Sequence, residues 1–197
     1  MSKLFVDEIV HQSSQGSGTI TIGASGETTN IVGTLQNDGA ALISGITSAQ
    51  QWRLPSNLTT SSNNTFVQLT NFEQANSDGA GSIGSFMSND NGIFTFPSTG
   101  IWLIAINIGW QSGTPDYASV QIHTTTDNST YNEAQSSYIG ISSSNHQTSN
   151  SGSFIFDVEN TSTHKVKFGY YVASQVTLKG SGSRTQSGFD FIRLGDT

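Results

Sequence analysis

The run from Gly100 to Trp110 sets the fold class more tightly than anything else in the chain. Its even positions are Trp102, Ile104, Ile106, Ile108 and Trp110; its odd positions are Ile101, Leu103, Ala105, Asn107 and Gly109. Successive side chains of an extended strand point to opposite faces, so the even set makes one unbroken apolar face. The odd set is half apolar, as expected of a central strand whose second face is also covered. The run is about half the length a membrane-spanning helix needs, and Asn107 interrupts it.

Shorter runs follow the same period. Val120 and Ile122 oppose Ser119, Gln121 and His123. Phe154, Phe156 and Val158 oppose Ile155, Asp157 and Glu159. Val166, Phe168, Tyr170 and Val172 oppose Lys165, Lys167 and Tyr171. Val176 and Leu178 precede a Gly-Ser-Gly-Ser turn, and Phe189 to Leu194 closes the chain. Asn91-Gly92, Asp127-Asn128 and Glu159-Asn160 stand between runs as turn signals. Strands at this spacing predict an all-β sandwich or jelly roll. Composition agrees. Ser, Thr and Asn make up 69 of 197 residues and charged residues only 11%, against about 25% in typical soluble proteins. With 34% hydrophobic and 10% aromatic residues, a real core can form, which separates this chain from disordered ones. Helix-period segments are absent, so a helical bundle is excluded.

Upstream of this domain the pattern changes twice. Residues 1–12 gather Leu4, Phe5, Val6, Ile9 and Val10 beside Lys3, Asp7 and Glu8. This segment reads either as an edge strand of its own domain or as a docking peptide that buries its apolar side chains against a partner; the docking reading is favoured, because such a terminus is a liability when exposed. Residues 13–50 are rich in Gly, Ser and Thr, with β bursts at Thr19–Gly23, Ile31–Leu35 and Ala41–Ile43. Each burst is too short to form its own core. Copies from several chains wrapped around one axis solve that problem, which favours an oligomeric β-stalk over a flexible linker. The third segment, 51–197, is the packed β domain.

The formal net charge is −7 and the seven basic residues are scattered, so the basic stripe that nucleic-acid binding needs is missing. There is no cysteine, hence no disulfide framework and no thiolate metal site. The opening residues show no apolar signal-peptide core, so export is not expected.

Catalytic patterns are weak. Gly79-Ala80-Gly81-Ser82-Ile83-Gly84 matches the dinucleotide-binding spacing, but no helical periodicity follows it, and it reads as a loop. His11, His123, His146 and His164 are unpaired in sequence and read as surface residues. Asn89-Asp90-Asn91-Gly92 lacks the later glutamate of a calcium loop and reads as a hairpin turn. No catalytic residue, cofactor or metal is expected. Tyr117, Tyr131, Tyr138 and Trp110 lie near stretches rich in Ser, Thr and Asn. Aromatic planes beside amides and hydroxyls suit sugar recognition, and equally suit capping the sandwich or lining a subunit contact.

The block Asn91-Gly92-Ile93-Phe94-Thr95-Phe96-Pro97-Ser98-Thr99-Gly100-Ile101-Trp102 resembles the central Gly-x-Phe-x-x-Pro-x-x-Gly-x-Tyr/Trp pattern of C1q/TNF-like domains. The closing Ser187-Gly188-Phe189-Asp190-Phe191-Ile192-Arg193-Leu194 is similar to that family's last strand, with Gln186 where the family has its first Phe. The resemblance implies a jelly roll over roughly residues 52–197 and a homotrimer built on an apolar inner face. It assigns Ile101, Leu103, Ala105 and Tyr171 to the trimer interface. The opening Ser2-Lys3-Leu4-Phe5-Val6-Asp7-Glu8-Ile9-Val10 resembles the N-termini of virion structural proteins from tailed marine bacteriophages. That likeness implies a head or tail fibre or decoration protein, assembled in host cytoplasm. It would be anchored to capsid or tail proteins by residues 1–12, and would meet host-surface glycans through Tyr117, Tyr131 and Tyr138. The alternative is a free carbohydrate-binding or cell-surface adhesion module of bacterial origin.

Overall fold

In a computed structural model the described residues are 36–37, 40–41, 45–60, 63–77, 79–112, 116–141, 143 and 145–197. The chain divides into two units, Met1–Ser44 and Gly45–Thr197. In the first, β1 (Gln36–Asn37) pairs antiparallel with β2 (Ala40–Ala41). The docking residues Leu4, Phe5, Val6, Ile9 and Val10, and most of the stalk, lie outside the described residues.

The second unit is built from β3 (Ala49–Arg53), β4 (Leu58–Thr59), β5 (Asn63–Gln68), β6 (Glu73–Gln74), β7 (Ser88–Asp90), β8 (Ile93–Thr95) and β9 (Gly100–Ser112). These are followed by β10 (Asp116–Thr125), β11 (Asn132–Ile141), β12 (Gln147–Val158), β13 (Lys165–Val172), β14 (Val176–Leu178) and β15 (Gly188–Gly195). The described residues contain no helix. β3 begins at Ala49, two residues ahead of the boundary expected at 51.

Two antiparallel sheets result. The first runs β4-β14-β9-β15-β3-β6, with β12 on the other edge of β9; the second runs β11-β10-β13-β8-β7, with β5 also against β13. Strand β9 is the spine of the first sheet. β12 follows it in unbroken register from Gln147↔Gln111 to Val158↔Gly100. β15 and then β14 cover its opposite edge. The Asn91-Gly92 pair joins β7 to β8 as a two-residue hairpin with both residues at positive φ, 49° and 85°. The Asn89 Oδ1 accepts from the Gly92 N–H at 2.8 Å and holds the turn closed.

The even face of β9 lies between the sheets, with Trp102, Ile104, Ile106, Ile108 and Trp110 all buried. Phe94, Phe168, Phe189 and Phe191 meet them from both sheets, and Phe168 stacks on Phe189 with centroids 3.9 Å apart. Each fully buried aromatic contributes roughly 2–3 kcal/mol from water exclusion. Two expectations are corrected here. Trp110 is fully buried, not a surface aromatic; its indole N–H donates to the Asn150 Oδ1 at 2.6 Å. His164 is also buried, stacked on Phe156 at 5.6 Å; it immediately precedes β13 and shares the parity of the buried Val166 and Phe168.

The 79–84 glycine-rich segment is a loop, as read. It returns to the first sheet through a bridge between Ile83 and Ala49. Beside it, the buried Arg53 donates to Glu73 at 2.8 Å, Ser77 at 2.6 Å and Asn76 at 3.3 Å. That set of bonds ties the preceding segment, residues 73–77, to β3.

Candidate functional site

Each sheet turns one face to the core and one outward, and the two outward faces differ in chemistry. On the first sheet, pairing places Ile155 beside Leu103, Leu103 beside Ile192, Ile192 beside Ala49, and Ala49 beside Ile83. The result is an apolar row across four strands and the loop. Ile155 is 60% exposed and Ile83 50%. Ile101 and Ala105 flank Leu103 along β9 and are half-buried. In the neighbouring row Ala105 lies among polar residues, Ser153 on one side and Asp190 and then Gln51 on the other, and Gln51 Nε2 donates to the Asp190 carboxylate at 2.8 Å. A depression of about 430 Å³ opens between the 81–83 loop and β15, floored by Ala49, Ile192 and Gln51. An antiparallel sheet with a solvated face normally alternates polar residues outward; here isoleucine and leucine stand where those residues belong.

The predicted interface residues therefore divide. Ile101, Leu103 and Ala105 share the outward face of the first sheet. Tyr171 does not: it sits on β13, on the outward face of the second sheet. The four do not form one surface, because β9 and β13 belong to different sheets and each turns its outward face away from the shared core.

The outward face of the second sheet is polar and aromatic. Along β10, Tyr117, Ser119, Gln121 and His123 point the same way. Tyr138 of β11 and Tyr171 of β13 flank Ser119 in register. The Tyr117 and Tyr171 rings stack at 5.8 Å with an interplanar angle of 19°. The Tyr117 hydroxyl donates to that of Tyr171 at 3.3 Å, which donates on to the Asn64 Oδ1 at 3.4 Å. Tyr138 is 62% exposed and Tyr117 39%.

One step along the strands, Phe66 lies across β13 because residue 169 is glycine. A Cβ there would enter the Phe66 ring and the Val67 carbonyl. The ring then reaches His123, with centroids 3.9 Å apart. His123 Nε2 and Gln121 Oε1 are 3.1 Å apart. Burial pulls the His123 imidazole below its ordinary range; Glu133 opposes that shift and Lys167 adds to it. Burial thus favours the neutral imidazole, whose Nε2 faces the Gln121 amide. Tyr131 stands at the edge of this face, half-buried, with the Lys167 ammonium 4.3 Å above its ring. The turn before it is held by Asp127, whose carboxylate accepts from the Ser129 and Thr130 N–H groups and the Thr125 hydroxyl, holding its pKa well below the usual carboxylate range.

Of the three predicted sugar-contact tyrosines, Tyr117 and Tyr138 line one cavity and Tyr131 is not in its lining. Thr65, Phe66, Gln121, His123, Glu133 and Tyr171 complete that lining, and none of these was read as a sugar contact from sequence. The signal for two of them was present, since Gln121 and His123 share parity with Tyr117. Among the described residues, no group of three or more His, Asp or Glu side chains comes together in a way that could hold a metal ion.

No family model and no curated protein sequence matches the chain. Solved structures do. The Eiger TNF of S. frugiperda superposes with a TM-score of 0.57 at 12% identity, covering 76% of this chain and 93% of that one. Murine APRIL at pH 8.5 gives 0.54 at 12% identity, covering 75% and 98%, and murine APRIL at pH 5.0 gives 0.56 at 11%. The fold is a TNF-like jelly roll.

Proposed function

We propose that this chain is a homotrimeric, non-catalytic structural and adhesive protein of a bacteriophage virion, a fibre or decoration protein of head or tail. The observation that carries the trimer is the apolar row from Ile155 through Leu103, Ile192 and Ala49 to Ile83. A contiguous apolar strip on an outward sheet face is stable when another surface covers it. Three copies meeting face to face around one axis cover it, with the polar row at Asp190 and Gln51 beside it. Trimerisation also multiplies weak surface contacts, so avidity exceeds single-site affinity by roughly 10² or more.

The virion context rests on the opening residues, whose likeness to phage structural proteins gives Leu4, Phe5, Val6, Ile9 and Val10 the docking role, with the 13–50 segment as stalk. Deleting residues 2–12 is expected to abolish incorporation into particles and leave a folded trimer. Normal incorporation of the deletion overturns the docking role. A second reading, a free carbohydrate-binding or cell-surface module of bacterial origin, is favoured by the tyrosine-lined face. Glycan binding with no particle association selects it.

A further inference from the structure

The tyrosine-lined cavity on the second sheet has a volume of about 440 Å³, the scale of one or two sugar rings. Three features of its wall point to one ligand class. The first is ring surface. Tyr117 and Tyr138 are exposed, and Tyr117 is braced by its stack on Tyr171 and the hydroxyl chain to Asn64. Rigid, exposed tyrosine planes offer apolar contact to a flat C–H surface while their hydroxyls stay wet.

The second is polar capacity left over at the base. Ser119 is fully buried between Tyr138 and Tyr171 with no hydrogen-bond partner for its hydroxyl, and it lies outside the cavity's lining. Gln121 is nearly buried and commits its Oε1 to His123, which leaves the Nε2 hydrogens for a ligand. Glu133 adds an exposed carboxylate acceptor to the wall.

The third is charge. The Glu133 carboxylate is the charged carboxyl group of the cavity's lining. The Lys167 ammonium lies outside that lining, over the Phe66 and Tyr131 rings, 5.4 and 4.3 Å from their centroids. An anionic sugar seated against the lining is repelled by the carboxylate and an uncharged one is not.

We propose that this cavity is a glycan-binding site for an uncharged pyranose. One face of the sugar stacks on Tyr138 and Tyr117, and its hydroxyls bond to Gln121 Nε2 and the Glu133 carboxylate. The site deepens the adhesive part of the proposed function and rests on it. It gives that part a ligand class and places it on the face opposite the apolar row.

The test uses the full chain on an array of neutral, N-acetylated and sialylated oligosaccharides, followed by titration of the best neutral binder and of sialyllactose. Binding to a neutral oligosaccharide is expected, with sialyllactose at least tenfold weaker. Tyr138→Ala is expected to weaken the neutral ligand tenfold or more, and Glu133→Gln to narrow the gap to sialyllactose. Tyr138 is largely exposed, so Tyr138→Ala should keep its melting temperature. No binding of any neutral oligosaccharide at millimolar concentration overturns the site, as does unchanged affinity in both Tyr138→Ala and Tyr117→Ala. The molar mass of each protein is measured alongside. A three-chain mass without sugar binding removes the glycan site alone, whereas a one-chain mass removes the proposed assembly.

Discussion

The two outward faces of this sandwich are made by strands of the same period around the same core, yet they present opposite chemistries. On the first sheet, Ile155, Leu103, Ile192, Ala49 and Ile83 line up across the strands and offer nothing to bond with water. On the second, the equivalent direction across the strands reads Tyr138, Ser119 and Tyr171, with Gln121 and His123 in the next rows. Strand alternation alone demands only that one face be apolar. In the proposed function the apolar row serves assembly and the tyrosine face a polar ligand, one sheet to each.

The largest way to break that contrast is to put a charge in the middle of the apolar row. Leu103→Glu is expected to reduce the molar mass in solution from three chains to one, because three carboxylates would be buried around one axis. The domain itself should stay folded as a monomer, with a melting temperature below the parent's because assembly no longer stabilises it. Sugar binding per chain should persist. Retention of the three-chain mass would show that the row lies outside the interface.

The converse substitution acts on the second face. Gly169→Ala pushes a methyl group into the Phe66 ring, and overpacking of this kind is destabilising by roughly 1–3 kcal/mol. A lower melting temperature is expected, with the Phe66–His123 stack lost and the molar mass unchanged. An unshifted melting temperature would mean that Phe66 yields without strain and that the ring contact is incidental.

A smaller effect sharpens the comparison through pH. His123 titrates below its ordinary value of 6.5, mainly through burial. The folded protein thus binds fewer protons than the unfolded chain just below that value. Its contribution is complete above pH 6.5 and declines as pH falls toward the folded value. The melting temperature should drop between pH 7 and pH 5, and His123→Gln should flatten that drop. Equal slopes in the two proteins would place the titrating group elsewhere. Asp127, whose pKa is also lowered, acts only below pH 4 and leaves this window clear.

What the sequence made legible follows the range of the interactions involved. The β9 strand, the Asn91-Gly92 hairpin and the shared face of Ile101, Leu103 and Ala105 are set by neighbours a few residues apart, and all three are readable from the chain. The resemblance grouped Tyr171 with these interface residues, whereas β13 joins the second sheet through pairings with β10 and β8, between about 40 and 80 residues upstream. Trp110 looked exposed because of its polar surroundings, but its even position in β9 had already committed it to the core. Phe66 was invisible for another reason: its place depends on a missing side chain at Gly169, about a hundred residues away. The unpartnered Ser119 hydroxyl likewise exists only once Tyr138 and Tyr171 are paired on either side of it.

The central claim is that the apolar row on the first sheet is covered by copies of the same chain. Light scattering on a sizing column, applied to the purified full-length protein, tests it most directly. The account predicts a molar mass of three chains, held on dilution. A mass of one chain, about 20.9 kDa, would contradict it and leave the row without the cover its chemistry requires.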